Sequence, residues 1–270
     1  MDEKGISDRL RIVGIDCAAQ PKNVGIALAS LKRGKIHIDL AERCASPTGK
    51  AKEDRWDAAT ARIAGWISDR PALLALDAPL GWPARMGPAL AAHKAGEPLQ
   101  VPDADQMFRR KTDTFIEKTL GKRPLDIGAD KIARAAHGAL CLLDALRRTT
   151  GKDIPLAWTP ESIPELKLAA IEVYPAATLK AHELASEKYK GARNERERIR
   201  LIADLRGMIS FERTSIPDAM AESDHVLDAV VCALAATDFI HHLAVGPRPE
   251  DRSNADQEGW IWVKGDRGGE

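Results

Sequence analysis

The chain has 270 residues, a length that fits one core with an elaborating insertion better than one minimal domain or two large ones. Lysine plus arginine and aspartate plus glutamate number 40 each, which excludes a highly basic, architectural DNA-binding protein. The 4 cysteines form no Cys-x-x-Cys pair, which excludes a cysteine-built zinc ribbon.

The cysteines and the N-terminus also predict a compartment. Widely separated cysteines are typical of free thiols in a reducing environment. The charged N-terminus has no apolar signal-peptide region, and no apolar run is long enough to span a bilayer. We therefore expect a cytoplasmic protein without a membrane-spanning segment.

The first part of the chain predicts an α/β pattern. Three short apolar segments, LRIVGID, NVGIALASL and KIHIDLAERC, are typical of a three-stranded meander, with a turn at residues 32–35. Residues 53–69 carry apolar side chains at helical spacing, and the buried-type strand ALLALD follows. This order predicts that the fourth strand pairs in parallel with the first.

The alternation of strand and helix stops between residues 83 and 166. This segment is rich in Gly, Pro and charge, with one clear helix at residues 127–151, and we interpret it as an insertion over one end of the sheet. The core resumes with the strand LAAIE and a helix, then a charged amphipathic helix at residues 194–210 and a buried helix at residues 223–245. We expect one domain over residues 1–250, followed by a tail, residues 251–270, in which EGWIWVKGD could form a short strand.

Three of the predicted strands end in an acid: Asp16, Asp77 and Glu172. Parallel strands share one C-terminal edge, where ligands bind in open α/β sheets, so these carboxylates are expected to converge there. Clustered carboxylates repel one another unless a cation lies among them, and they are the usual ligands of Mg²⁺ or Mn²⁺. Taken alone, an acid after a strand is most often a turn former or a helix cap, and Glu172 could lie behind the metal ligands.

The stretch SDHVLDAVVCALAA offers further ligands. Asp224, His225 and Asp228 lie on one face of the predicted helix, because residues three and four apart are neighbours there. Ser223 or Asp224 is also a natural N-cap. Asp228 lies a full turn inside an apolar helix, too deep to cap it, and an ionised group there must be paired or bound to metal.

The clearest basic cluster, RRKTD, lies at residues 109–113. Arg110 could bind a phosphate through two hydrogen bonds, and Thr112 or Asp113 could orient it or cap the next helix. The basic residues that follow residue 187 alternate with glutamates and favour an exposed helix laced with salt bridges. They are Lys188, Lys190, Arg193, Arg196, Arg198 and Arg200.

Five motifs in order, GIDCA, LDAPLGWP, RKTD, IEVYPAA and DHVLDAVVCALAA, resemble those of domain-of-unknown-function family 429, predicted nucleases of the ribonuclease H fold. More distantly, the core resembles the RuvC-type Holliday-junction resolvases. The resemblance implies a five-stranded mixed sheet flanked by helices, with the first three strands antiparallel and two more parallel to the first. It also implies two divalent ions, with Asp16 bridging them, Asp77 and Asp228 each holding one, and His225 binding metal or positioning water.

The sequence therefore predicts a metal-dependent phosphodiester hydrolase that uses Mg²⁺ or Mn²⁺ and acts on a nucleic acid or a nucleotide. Catalysis is assigned to Asp16, Asp77, His225 and Asp228, with Glu172 and Asp224 as further metal ligands and with Arg110, Thr112 and Asp113 contacting phosphate. Two alternatives stay open. One is ATP-dependent phosphotransfer of the actin-like and sugar-kinase class, although DCAAQPKNVG lacks its phosphate-binding pattern, and the other is a non-catalytic binding protein that retains the fold.

Overall fold

The computed structural model of the protein describes residues 10–18, 23–44, 56–91, 93–99, 101, 103–128 and 130–265. The strands are β1 (Arg11–Asp16), β2 (Gly25–Lys32), β3 (Lys35–Arg43), β4 (Ala72–Asp77), β5 (Leu168–Glu172), β6 (Ile209–Phe211), β7 (Ala244–Val245) and β8 (Val263–Lys264). The α-helices are α1 (Asp57–Trp66), α2 (Met86–Ala91), α3 (Ala104–Phe108), α4 (Lys111–Leu120), α5 (Asp130–Thr150), α6 (Ile163–Leu166), α7 (Pro175–Ala181), α8 (Glu195–Leu205), α9 (Ser215–Glu222), α10 (Asp224–Ile240) and α11 (Arg252–Glu258). Short 3₁₀ turns cover Pro160–Ser162, Ala192–Asn194 and Pro249–Asp251.

The main sheet is mixed, with the order β5-β4-β1-β2-β3-β6. Strands β1, β2 and β3 form the predicted antiparallel meander. Strand β4 pairs in parallel with β1, and β5 pairs in parallel with β4. These directions agree with those that the family resemblance implies, and the pairing of β4 with β1 agrees with the prediction from the order of elements.

The expected number of five strands is wrong, because a sixth strand lies at the edge of the sheet. Residues 194–210 were expected to form one helix, but α8 ends at Leu205 and the chain turns at Gly207. The β-branched Ile209 then pairs in parallel with Ile36 of β3. The hydrophobic pattern of α8 continues past Leu205, so this pattern does not predict that the residues after the helix pair with a distant strand.

Both faces of the sheet are buried at β1 and β4. Alternate side chains of β1 point to opposite faces, so Ile12 packs in the core with α10 while Val13 and Ile15 pack in the core with α1 and α5. Strand β4 is buried along almost its whole length, which explains its continuous apolar run. Helices therefore cover both faces, and the carboxyl ends of β1, β4 and β5 meet at one edge.

The insertion and the tail meet near that same edge. The insertion contains α2 to α6 joined by irregular segments, and the helix predicted at residues 127–151 is α5. In the tail, the predicted strand is β8, which pairs with β7. The backbone N–H of Trp262 donates to the backbone carbonyl of Glu172 at 3.0 Å. The division into a domain over residues 1–250 and a tail stays a prediction.

Some predicted segments extend past the described residues. Residues 53–55 of the first predicted helix and residues 266–270 of the tail lie outside them. Within the part of the chain that the structure describes, none of the helices combines the length and the apolar character needed to cross a membrane.

Candidate active site

Three carboxylates from separate elements converge at the carboxyl edge of the sheet. Asp16 and Asp77 end the neighbouring parallel strands β1 and β4 and are register partners. Asp228 reaches them from the first turns of α10. Each residue offers an oxygen that lies within 4.8 Å of an oxygen of the other two.

The position of α10 is set by two glycines of the sheet. A Cβ atom at Gly14 would lie 2.0 Å from the carbonyl oxygen of Ala229, and one at Gly25 would lie 2.0 Å from that of His225. Any side chain at either position would push the helix away from the sheet. The absence of Cβ atoms on β1 and β2 therefore allows the approach that brings Asp228 beside Asp16.

The convergence changes the electrostatics of the strand-end acids. Burial raises the pKa of Asp16 to about 6, although its hydrogen bond with His225 counteracts part of that effect. Burial also raises the pKa of Asp77 well above its usual value, and the neighbouring Asp16 and Asp228 add to the increase. Both carboxylates are thus costly to ionise without a nearby cation.

His225 contacts the cluster through Asp16. Its Nδ1 lies 2.5 Å from Oδ2 of Asp16, and this hydrogen bond raises the pKa of the imidazole. The side chain is partly exposed, so the pair joins the buried carboxylate to solvent. The geometry suits a residue that orients Asp16 and carries a positive charge when protonated.

Asp224 points away from the cluster. Its Oδ2 accepts a hydrogen bond from the backbone N–H of Gly191 at 2.7 Å. Partial burial acts to raise the pKa of Asp224, but this hydrogen bond holds it below the usual value. Ser223 occupies the N-cap position of α10 without a side-chain capping hydrogen bond, so the first turn is held mainly through Asp224.

Glu172 and Arg110 form a buried pair beside the cluster. The two terminal nitrogens of Arg110 lie 2.7 and 2.9 Å from the two oxygens of Glu172. Glu172 also accepts from the backbone N–H of Leu80, and Arg110 also donates to Asp113 and to the carbonyl of Glu258. All three guanidinium nitrogens of Arg110 therefore donate to protein atoms, and the side chain has almost no exposed surface.

The other two residues of the basic cluster also have structural contacts. Asp113 accepts from the backbone N–H of Arg110 at 2.9 Å, which satisfies that donor at the start of α4. Thr112 is fully buried, and its Oγ1 accepts from the backbone N–H of Ile261 at 2.7 Å. The structure thus places this cluster at the joint between the insertion, β5 and the tail, and not at an open surface.

Sequence reasoning missed Tyr189 and Lys190. The Tyr189 hydroxyl donates to Oδ1 of Asp228 at 2.7 Å, and Nζ of Lys190 lies 2.7 Å from Oδ2 of the same carboxylate. Desolvation acts to lower the pKa of Lys190, but the three carboxylates outweigh it and raise the pKa. The side chain is 53% exposed, although its ammonium group contacts a buried carboxylate.

Arg198 explains why this loop reaches the site. It was expected on an exposed helix, but it is buried and donates to the carbonyls of Tyr189, Gly191 and Ala221. Arg196 and Arg200 are exposed as predicted. The only sequence signal for the loop is one aromatic residue, Tyr189, between charged neighbours.

A cavity of about 490 Å³ opens beside the carboxylates. Asp77 and Glu172 line its inner end, and residues of the insertion and of the loop at residues 186–190 line its walls. Tyr174 lies between the two regions, and burial followed by the charge of Asp77 raises its pKa. The cavity and the acidic cluster are therefore parts of one continuous site.

Comparisons with known proteins give one family, and the solved structures that match include two of RuvC. The family described as "Protein of unknown function (DUF429)" matches residues 14–252. The structure of Thermus thermophilus RuvC is 12% identical, with a TM-score of 0.37, over 84% of this chain and 97% of that chain. T. thermophilus RuvC in complex with a Holliday junction substrate is 11% identical, with a TM-score of 0.35, over 84% and 96% of the two chains. No curated protein matches the sequence.

Proposed function

The chain belongs to the DUF429 family, and we propose that it is a divalent-metal-dependent phosphodiester hydrolase acting on nucleic acid or a nucleotide. The observation that carries the proposal is the convergence of Asp16, Asp77 and Asp228 within 4.8 Å at the carboxyl edge of the sheet. This is the place where open α/β sheets bind ligands.

The donor set fits Mg²⁺ or Mn²⁺. The three converging side chains offer only carboxylate oxygens, which these hard cations prefer. The raised pKa values of Asp16 and Asp77 mean that the cluster gains stability from a positive charge at neutral pH. A cation bound there would make its water more acidic and offset the charge of the phosphodiester.

The protein's own residues have distinct tasks in this proposal. Asp16, Asp77 and Asp228 would hold the cations, with Asp16 shared between them. His225 orients Asp16 through the 2.5 Å contact and adds positive charge when protonated. Two ions remain the expected number. Lys190 affects the binding of these ions, because its ammonium group already pairs with Asp228.

The remaining predicted site residues receive structural roles in this proposal. Glu172 anchors Arg110, because both of its oxygens accept from that guanidinium. Arg110, Thr112 and Asp113 fasten the insertion, since each is buried and paired with protein atoms. Asp224 holds the loop at Gly191. A phosphate contact by Arg110 would require breaking a buried ion pair, which is costly.

The phosphotransferase alternative gains no support from the fold. The actin-like and sugar-kinase class needs a duplicated second domain, and the described ranges contain one six-stranded sheet and one two-stranded sheet. The metal-binding and cleavage experiments distinguish the hydrolase from a non-catalytic binding protein with the same fold.

Metal binding is tested by thermal unfolding with and without Mn²⁺ or Mg²⁺. The wild type is expected to be stabilised, by about 2.7 kcal/mol at a metal concentration 100 times the dissociation constant. Asp16→Asn is expected to lose most of this response. The matched control is Asp39→Asn, because Asp39 belongs to a separate group of possible metal ligands with His37 and Glu212. An equal loss of metal-induced stabilisation in Asp39→Asn would contradict metal binding at the three converging carboxylates.

Catalysis is tested with labelled single-stranded, duplex and branched DNA and RNA. Cleavage by the wild type and by Asp39→Asn, but not by Asp16→Asn, is the expected result. Metal-dependent stabilisation without cleavage of any substrate would support the binding protein. Cleavage that survives Asp16→Asn would remove the proposed site from the chemistry.

A further inference from the structure

The cavity beside the carboxylates has the size of a ligand site. Its volume of about 490 Å³ lies within the range of roughly 300–1,000 Å³ that is usual for small-molecule sites. Asp77 lies at its inner end, so a ligand that fills the cavity contacts the proposed metal site directly.

The walls of the cavity are mainly apolar. They include an aromatic ring and aliphatic side chains from the segments that follow β4 and β5, from the insertion and from the tail: Pro79, Leu125, Ile132, Val173, Tyr174 and Ile261. Leu125 is 68% exposed, the largest exposed fraction among the large hydrophobic side chains of the described residues. A flat, apolar ligand group would cover this leucine and face the half-buried ring of Tyr174.

Charged side chains also line the cavity. Lys188 and Lys190 lie on the loop at residues 186–190, and Lys190 extends to Asp228. Lys122 lies at the rim, where it pairs with the exposed Glu187 at 3.1 Å. A phosphate near Asp77 would therefore have ammonium groups beside it, while the apolar wall would lie further out.

We infer that the cavity binds one unpaired nucleotide, with its base against Leu125 and Tyr174 and its phosphate between the lysine-bearing loop and Asp77. This inference rests on the proposed function and names its substrate class. A base that enters the cavity must leave its neighbours, because in a duplex both of its faces and its pairing edge are covered. The substrate is then a single strand, an unpaired end or a free nucleotide, and not an intact duplex.

Binding is tested by fluorescence anisotropy of a short labelled single strand, as DNA and as RNA, and of the same sequence as a blunt duplex. Ca²⁺ replaces Mg²⁺ because it accepts the same oxygen ligands. The single strand is expected to bind at least roughly tenfold more tightly than the duplex, because the duplex cannot stack a base in the cavity. If adenosine monophosphate displaces the labelled strand, a free nucleotide is sufficient to occupy the cavity. If only the strand binds, the substrate is a strand.

The cavity itself is tested with Leu125→Asp, which places a negative charge at an exposed position. This variant is expected to weaken single-strand binding roughly tenfold or more and to keep the metal-induced rise in melting temperature. The control is Leu90→Asp, at another exposed leucine of the insertion, 45% exposed, which does not line the cavity. It should bind as the wild type does.

Two results would overturn the inference. One is equal binding of duplex and single strand, and the other is unchanged binding by Leu125→Asp. Neither would affect the proposed hydrolase if the metal response and the cleavage by the wild type persist. Conversely, a wild type whose melting temperature does not rise with metal would contradict the hydrolase proposal itself.

Discussion

Lys190 supplies a positive charge at the place where a metal ion would neutralise Asp228. Its ammonium nitrogen lies 2.7 Å from the buried carboxylate, while more than half of its side chain is exposed. A flexible, half-exposed lysine can leave more readily than a buried arginine. The lysine therefore stabilises the metal-free site and competes with the cation for the same oxygens.

Lys190→Met tests this competition. The metal-free variant is expected to lose about 1–2 kcal/mol of stability, less than for a fully buried pair because the lysine is half exposed. Its affinity for Mn²⁺ should rise roughly tenfold, since 1.4 kcal/mol of competition corresponds to a factor of ten. Isothermal titration calorimetry gives the affinity and the number of ions. Lys118→Met, at an exposed lysine of α4, is the control, and equal Mn²⁺ affinity in wild type and Lys190→Met would contradict the competition.

Arg110 and Arg198 show how a buried guanidinium can act as a structural joint. Arg110 joins the insertion to β5 through Glu172, and Arg198 joins α8 to the loop that carries Tyr189. Both were expected near the surface, because a charged residue in a charged segment is exposed in most proteins. The donors of each are matched by acceptors, some of them from distant parts of the chain, and these hydrogen bonds compensate the desolvation of the charge.

At the scale of elements, the contact between α10 and the sheet sets the spacing of the acids. Helix α10 is buried over nearly its whole length and lies against β1 and β2. The two glycines of these strands permit backbone-to-backbone approach at Ala229 and His225. Asp228 and His225 are therefore positioned by a rigid helix and not by a loop.

Gly14→Ala is predicted to move this helix. The added Cβ would lie 2.0 Å from the carbonyl of Ala229, so the protein should lose about 3 kcal/mol or more of stability in chemical denaturation. Its metal-induced stabilisation should shrink as well, because Asp228 would move away from Asp16. Gly65→Ala in α1 is the control, since nothing lies within 4 Å of its new Cβ, and it should gain roughly 0.5–1 kcal/mol. A normal metal response in Gly14→Ala would mean that the helix position does not set the site.

At the scale of the whole molecule, the acidic cluster links stability to pH. The pKa of Asp16 rises from 3.8 to about 6 on folding, so the folded protein binds this proton more tightly than the unfolded chain does. The resulting stabilisation is complete below pH 3.8 and is lost as the pH rises through about 6. The loss is on the order of 2–3 kcal/mol in the absence of metal.

This linkage is measured by denaturant unfolding in a chelator between about pH 4 and pH 7. The stability of the wild type relative to Asp16→Asn is expected to fall as the pH rises, because only the wild type must ionise the buried carboxyl group of Asp16. With saturating Mn²⁺ the trend should reverse, since the metal binds the deprotonated carboxylate. Parallel pH profiles for the two proteins without metal would show that Asp16 does not contribute the linkage.

The sequence by itself predicted the meander, the parallel strands and the acids at the strand ends. These features depend on local patterns: apolar runs mark the strands, and parallel strands must deliver their last residues to one edge. Asp228 could be found for a similar reason, because a carboxylate inside an apolar helix requires a partner. The metal roles of these residues stay predictions, although the structure brings Asp16, Asp77 and Asp228 together.

The tertiary structure alone decided which charges belong to the site. Arg110 pairs with Glu172, 62 residues away, and Tyr189 contacts Asp228, 39 residues away, and no local pattern encodes either distance. The sixth strand likewise depends on an edge of β3 that is far away in the chain. Composition and periodicity show which residues must find partners, but only packing selects the partner, because a buried charge is stabilised by whichever complementary group the fold brings within reach.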